Sequence, residues 1–302
     1  MTDPVAEVRE RLPELRERAD YVVVLAHLRE ADERDIAELD GVDAILGGHV
    51  HTERCERVDG TLLLRPSATG QLVWEVELGG AGERATATRR PVADGPRDDA
   101  VADALRERMA ATGLTEVVAT VDEPIRREPE RLYGGECRLG NLVADAYRWA
   151  TGADVGVTQT GGLRDGPELA GEVTVADLVG VSPFDGELQT VALAGEQLRE
   201  LVAAAYTPDH SEGRRWWAHF AGLSVTYDAD AGRVRAVRHE GDPLDPEAEY
   251  ALATNAYVIT RGFDEELPDS VVDTWGVQYD AIVAYAREEG LEVERDGRLI
   301  EG

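Results

Sequence analysis

Apolar residues recur at Val5, Val8, Leu12 and Leu15, a spacing that predicts a helix over 5–19. The run YVVVLA at 21–26 then predicts a strand buried on both faces. A short helix over 32–39 and a second buried strand at 42–46, VDAIL, follow. That strand runs into Gly47, Gly48, His49, Val50 and His51. Further strands are predicted at 61–65 and 71–78. The stretch 79–97, rich in Gly, Ala, Arg and Pro, reads as a boundary, and a helix near 98–112 leads into a second region.

The second region alternates helical and extended patterns. A helix over 139–150 and a strand at 153–158 lead into a glycine-containing loop at 159–166. Thr174 and Asp177 have the spacing of a capping box and open a short helix ending near Ser182 and Pro183. A strand at 187–193 and a helix at 196–205 come next. Strands at 222–228 and 233–239 flank DADAG, a hairpin signal. A strand at 249–254 opens into a loop over 255–270, and the last helix covers 277–289. The whole predicts a mixed α/β fold.

Charge changes the picture of the surface. Acidic residues number 61 against 31 basic ones, a net charge of -30, and every basic residue is arginine. The regular apolar patterning excludes an acidic disordered chain. A solvated acidic surface suits high salt, where at ~1 M the Debye length is about 3 Å. It points to a halophilic source and away from nucleic acid or anionic membranes as partners. No run approaches the length of a membrane-spanning helix. Met1 to Arg11 lacks the pattern of a secretory leader. Cys55 and Cys137 lie in no zinc-type spacing and read as ordinary thiols. The expectation is a cytoplasmic chain.

Three of the six histidines stand at strand ends: His27 after YVVVLA, and His49 and His51 after VDAIL. In an extended segment residues two apart share a side, so His49 and His51 would face one centre. Gly47 and Gly48 would let the backbone turn tightly beneath them. Neutral imidazoles on short loops are ligands for zinc, manganese or similar divalent ions. The residues alone leave two readings open, metal ligands or polar loop tips.

The segment AHLREADERDIAELDGVDAILGGHVH resembles the last part of the metallophosphatase domain of the 5'-nucleotidase family. By that match His27 and His49 would ligate one metal of a dinuclear site and His51 the other. The family's earlier ligands and its catalytic histidine have no counterpart before His27. The expectation is a chain that begins inside the domain and carries a partial site. Four ordered pieces further along resemble the family's substrate-recognition domain: ECRLGNLVADA, QTGGLRDG, SPFDGELQTVALAGEQL and ATNAYVITRGFD. The resemblance implies a partial metallophosphatase lobe of β-sandwich type over 1–92 and an α/β substrate domain over 93–302.

It also implies a nucleotide pocket. Arg164, after Gly161 and Gly162, would contact the phosphate, an arginine fork suiting phosphate oxygens. The small glycines would let a ligand approach the backbone. Phe184 and Tyr257 match the two rings that sandwich the base, and Asp264 is the candidate for the ribose hydroxyls. Phe184 and Tyr257 also admit a reading as packing residues, and Trp216 and Trp217 read as packing residues, with a stacking role left open. Gln159 stands where the family has Asn, and ITRGFD replaces its second glycine loop. Three functions follow from the resemblance. One is a metal-dependent hydrolase of nucleotide phosphate esters, completed by a missing segment. Another is a non-catalytic nucleotide- or nucleoside-binding remnant. The third is a hydrolase of a cyclic nucleotide or a thiosulfate ester. The open edge of a half-sheet in the first region would favour association, with a missing N-terminal segment or with a second copy.

Overall fold

The structure, a computed structural model, describes residues 3–68, 70–80, 83–207, 215–261 and 271–302. Two compact units divide the chain, Met1–Ala102 and Asp103–Gly302. Among the described residues no helix is long and apolar enough to cross a membrane.

The first unit opens with the helix Pro4–Arg18, capped by the Asp3 carboxylate, which accepts from the Val5 and Ala6 amides at 2.9 and 3.3 Å. A four-stranded sheet follows in the order Val23–Ala26, Ala44–Gly47, Thr61–Pro66, Glu53–Val58. The first three strands are parallel and the last pairs antiparallel. The two central strands are buried on both faces, and their period of two separates two cores. Ile45 and Leu63 face the helices, with Leu12 and Ile36. Ala44, Leu62 and Leu64 face the hairpin Leu72–Glu77/Thr86–Pro91, with Trp74 and Val76.

The expectation for YVVVLA needs correction. Val23–Ala26 is the edge strand of the sheet, and Leu25 is 80% exposed. A run of apolar residues reports that both faces are apolar, not that both are covered.

In the second unit a five-stranded sheet runs Ala218–Ala221, Val155–Gln159, Glu249–Asn255, Glu187–Ala194, Val271–Val277. Only the Val155–Gln159/Glu249–Asn255 pair is parallel. The helices Arg138–Thr151 and Gln278–Glu288 contribute Leu139, Leu142 and Ile282 to one core, which Leu188 and Ala253 of the sheet also enter. Val157, Val191 and Leu252 enter the other core, shared with the helix Gly195–Ala204 and the hairpin Leu223–Asp228/Arg233–His239. Gly156 is required by the first packing: a Cβ there would overlap the Ala144 carbonyl of the helix lying on the strand. The fold is mixed α/β, as the pattern predicts.

Candidate functional site

The strands Val23–Ala26 and Ala44–Gly47 pair in register with Ala26 opposite Gly47, so His27 and Gly48 leave the same sheet end side by side. The Gly48 amide donates to the Ala26 carbonyl at 2.8 Å. Just beyond, the rings of His27 and His49 meet edge to face, with centroids 5.0 Å apart and planes at 66°. Two imidazoles bound to one tetrahedral ion at about 2.0–2.1 Å would place their centroids about 5 Å apart. The separation of the pair matches that spacing, and both side chains are exposed.

His51 is exposed as well, and its carbonyl accepts from Ser67 Oγ at 3.2 Å. Among the described residues no cluster of three or more His, Cys, Asp or Glu is placed to hold a metal. The same-side argument for His49 and His51 does not apply to this backbone. The strand ends at Gly47, His49 takes φ 57°, and the Val50 amide turns back onto the Gly48 carbonyl at 2.6 Å. Thus His49, not a glycine, supplies the left-handed residue. The two glycines clear space instead: a Cβ on Gly47 would overlap Glu33 Oε1, and one on Gly48 would lie 3.1 Å from His27 Nδ1.

Glu33 is one half of an ion pair that the sequence does not advertise. Its Oε2 lies 2.5 Å from Arg65 Nη2, and both side chains are fully buried. Arg65 Nη1 donates to Thr52 Oγ1 at 2.9 Å. The pair thus reaches Gly47 on one side of the histidine turn and Thr52 on the other. Buried ion pairs are a poor source of net stability. Here Arg65 ties the Thr52 end of the turn, while Glu33 Oε1 lies against Gly47 without a hydrogen-bond partner among the described residues.

In the second unit, three adjacent strands bring the other candidates to one sheet end. Asn255 pairs with Leu188, so Phe184 precedes one strand and Tyr257 follows its neighbour at the same end. Gln159 closes the parallel neighbour Val155–Gln159 at that end too. The short turn Thr160–Gly162 follows, and the Arg164 amide donates to the Val181 carbonyl at 2.9 Å. Arg164 Cζ then stands 4.8 Å from the centroid of the Phe184 ring. Both residues are half-buried. Among the described residues none accepts a hydrogen bond from the Arg164 guanidinium.

Gly162 gives room to Gln159, whose Nε2 and Cγ lie 3.2 and 3.1 Å from where a Cβ would stand. Gly161 is exposed, and a Cβ there would meet Tyr133 Oη at 3.5 Å. Tyr257 is 57% exposed on the helix Ala256–Arg261, where the pattern predicts a loop. Asn255 Oδ1 accepts from the Val258 amide at 3.1 Å and so starts that helix. Asp264 lies outside the described residues.

Two further features lie beside the loop. Arg127, largely buried, donates to the carbonyls of Arg164, Pro167 and Gly180 and props the loop from beneath. Burial pushes its pKa down. In EPIRREPE it looks like any surface arginine. Trp217 is the second: it is 40% exposed and meets Tyr133 edge to face at 5.8 Å, beside Gly161, whereas Trp216 is wholly buried.

Glycine, arginine and aromatic segments thus gather at one strand end of a helix-flanked sheet. The chain belongs to the family of the 5'-nucleotidase C-terminal domain, whose model matches residues 117–269. It is 24% identical over 357 residues to an apyrase of Tabanus yao, covering 98% of this chain and 64% of that protein. It is 29% identical over 277 residues to the uncharacterized metallophosphoesterase YunD of Bacillus subtilis, covering 84% of this chain and 59% of that protein. The chain thus spans less than two thirds of the length of these relatives. Among solved structures, the 5'-nucleotidase precursor from Thermus thermophilus shares the fold with a TM-score of 0.80 at 24% identity, covering 99% of this chain and 68% of that one.

Proposed function

We propose that this chain is the nucleotide-recognition part, with a portion of the metal site, of a metal-dependent phosphoesterase acting on phosphate esters of nucleotides. Residues 1–92 form the metal-bearing lobe in this reading, and 93–302 the substrate domain. The observation that carries it is the Arg164–Phe184 pair. A guanidinium without an acceptor among the described residues, laid against an aromatic ring, offers one ligand a phosphate partner and a base-stacking surface together. Tyr257, at the same sheet end, supplies the second ring, and Gln159, Gly161 and Gly162 form the floor beside them. Asp264 is assigned to the ribose by resemblance alone.

His27 and His49 would hold one divalent ion, zinc, manganese or similar, and His51 would serve a second. A bound ion would supply Lewis-acid polarisation of a phosphoryl oxygen and a more acidic water. Within this chain, the histidine turn presents imidazole nitrogens, Arg65 ties the Thr52 end of that turn, and Arg164 binds and orients the phosphate.

Calorimetric titration of adenosine and AMP, in molar potassium chloride without metal, tests the reading. Phe184→Ala should weaken both ligands, since they share the base. Arg164→Ala should weaken AMP more than adenosine. Equal losses in Arg164→Ala remove the phosphate role, and no binding by the folded chain removes the pocket.

A further inference from the structure

The Phe184 loop and the Tyr257 helix at the sheet end share one buried side chain. Gln278 is the first residue of the helix Gln278–Glu288 and is almost wholly buried. Its backbone amide donates to the Gly186 carbonyl at 3.0 Å. Its side-chain Nε2 donates to the Phe184 carbonyl at 3.2 Å. Its Oε1 accepts from Asn255 Nδ2 at 3.1 Å and from Tyr147 Oη at 2.8 Å. Asn255 in turn holds the Val258 amide and starts the helix that carries Tyr257. One amide therefore grips the Phe184 loop with its nitrogen and the base of the Tyr257 helix with its oxygen.

Each partner has a reason to be where it is. The Phe184 carbonyl belongs to a tight turn whose amide donates to Ser182 at 2.8 Å, so the loop is short and its carbonyl faces inward. Asn255 and Leu188 are paired residues of neighbouring strands, which fixes the spacing of the two loops. Tyr147 comes from the helix beneath the sheet, is wholly buried, and keeps its proton because burial pushes its pKa up to about 12. A carbonyl can only accept, so the Phe184 partner fixes which end of the Gln278 amide is the donor and leaves Oε1 to Tyr147 and Asn255. A buried glutamine with both ends engaged has one orientation only, and the loops it joins inherit that order.

We propose that Gln278 is a positioning residue for base recognition, holding the Phe184 loop and the Tyr257 helix at the spacing an intercalated purine or pyrimidine ring requires. The inference rests on the functional reading above, because it presumes that these two rings receive the base. Ordering the clamp before the ligand arrives removes that cost from binding. The role predicts a selective effect: ligands that carry a base depend on Gln278, and ligands that lack one do not.

The test compares adenosine, AMP and ribose 5-phosphate by calorimetry with the parent chain, Gln278→Met, Gln278→Glu and Tyr147→Phe. Gln278→Met removes both grips at similar volume. It should weaken adenosine and AMP by about tenfold and leave ribose 5-phosphate within about twofold. Gln278→Glu keeps the acceptor toward Tyr147 and Asn255 but loses the donor to Phe184 when ionised, and should fall between. Tyr147→Phe spares both loop contacts and should leave adenosine within about twofold. Amide hydrogen exchange supplies a ligand-free check: residues 183–187 and 256–258 should exchange faster in Gln278→Met, while the helix Arg138–Thr151 keeps its protection. Parent-like adenosine binding in a folded Gln278→Met, in a chain where Phe184→Ala does lose adenosine, overturns the inference and leaves the reading of the pocket standing. Equal weakening of ribose 5-phosphate and adenosine makes Gln278 a residue of general stability and overturns it as well. Unchanged adenosine binding in Phe184→Ala instead removes the pocket itself. Should Gln278→Met fail to fold, Gln278→Glu decides by the same ligand comparison.

Discussion

Arg164 lays its guanidinium against the ring of Phe184, with Cζ 4.8 Å from the centroid. The two residues come from separate loops, one after the strand Val155–Gln159 and one before the strand Glu187–Ala194, and the Arg164 amide is tied to Val181. The guanidinium charge over the ring face is a cation–π contact, and its N–H donors have no acceptor among the described residues.

This contact should register before any ligand is added. In a double-mutant cycle of Arg164→Ala and Phe184→Ala, followed by urea unfolding in molar potassium chloride, the coupling should be about 0.5–1 kcal/mol. Arg164→Lys should keep only part of it, since an ammonium does not stack as a plane. Additive single losses would mean that the ring and the cation are merely neighbours.

Gly47 and Gly48 should not tolerate alanine equally. The Cβ of Gly47→Ala runs into Glu33 Oε1, and Glu33 cannot retreat because it is wholly buried against Arg65. A cost of about 1–3 kcal/mol is expected, as for other overpacked sites. At Gly48 the nearest atom is His27 Nδ1 at 3.1 Å, on an exposed ring able to swing aside. Gly48→Ala should cost less in unfolding but shift the His27–His49 geometry. Urea midpoints of the two variants provide the comparison, and equal losses would contradict the packing argument.

What was legible in the chain were features carried by local chemistry. Thr174 and Asp177 form the reciprocal capping box that their spacing implies. DADAG turns between paired strands, and the ordered glycine, arginine and aromatic pieces do arrive at one sheet end. What escaped depends on partners remote in sequence. The strand Glu53–Val58, ERCERV, has almost no apolar pattern, because it is an edge strand whose arginines and glutamates pair outward, Arg54 with Glu30 and Glu53 with Arg89. Arg127, Arg65 and Gln278 are common surface types until the fold buries them. The glycines before His49 looked like turn makers, yet the positive φ belongs to His49 and the glycines make room for Glu33 and His27.

The His27–His49 pair predicts that the chain by itself takes up about one zinc or manganese ion, weakly, because two imidazoles are fewer than the ligands of a closed site. Equilibrium dialysis should show this uptake lost in His27→Ala combined with His49→Ala. Two tightly held ions per chain, or an unchanged isotherm in the double variant, would defeat the assignment.

The net charge of -30 predicts a stability that climbs with salt. At about 0.1 M the Debye length is about 10 Å and surface carboxylates repel one another, whereas at ~1 M it is about 3 Å. The thermal midpoint should rise between these concentrations of potassium chloride. A midpoint that is flat or falling would remove the argument for a high-salt setting.

His219 should make the second unit sensitive to acid. The ring is wholly buried against Gly140, with Cys137 Sγ 3.9 Å from its Nε2. Burial chiefly, aided by the positive charge of Arg298, brings its pKa down to about 4 from an ordinary 6.5. Cys137 adds no charge, because burial pushes its thiol up to about 11. Between pH 6.5 and 4 the unfolded chain holds a proton on this ring that the folded chain refuses, so stability rises with pH across that window. The contribution is fully present above 6.5 and lost as the pH falls toward 4, about 3 kcal/mol in all. The many surface carboxylates titrate in the same range, so the measurement is a difference. Urea unfolding of the parent and of His219→Gln, from pH 7 down to 4 in molar potassium chloride, should give a parent curve that falls more steeply by about that amount. Parallel curves would show that His219 takes up its proton as readily folded as unfolded.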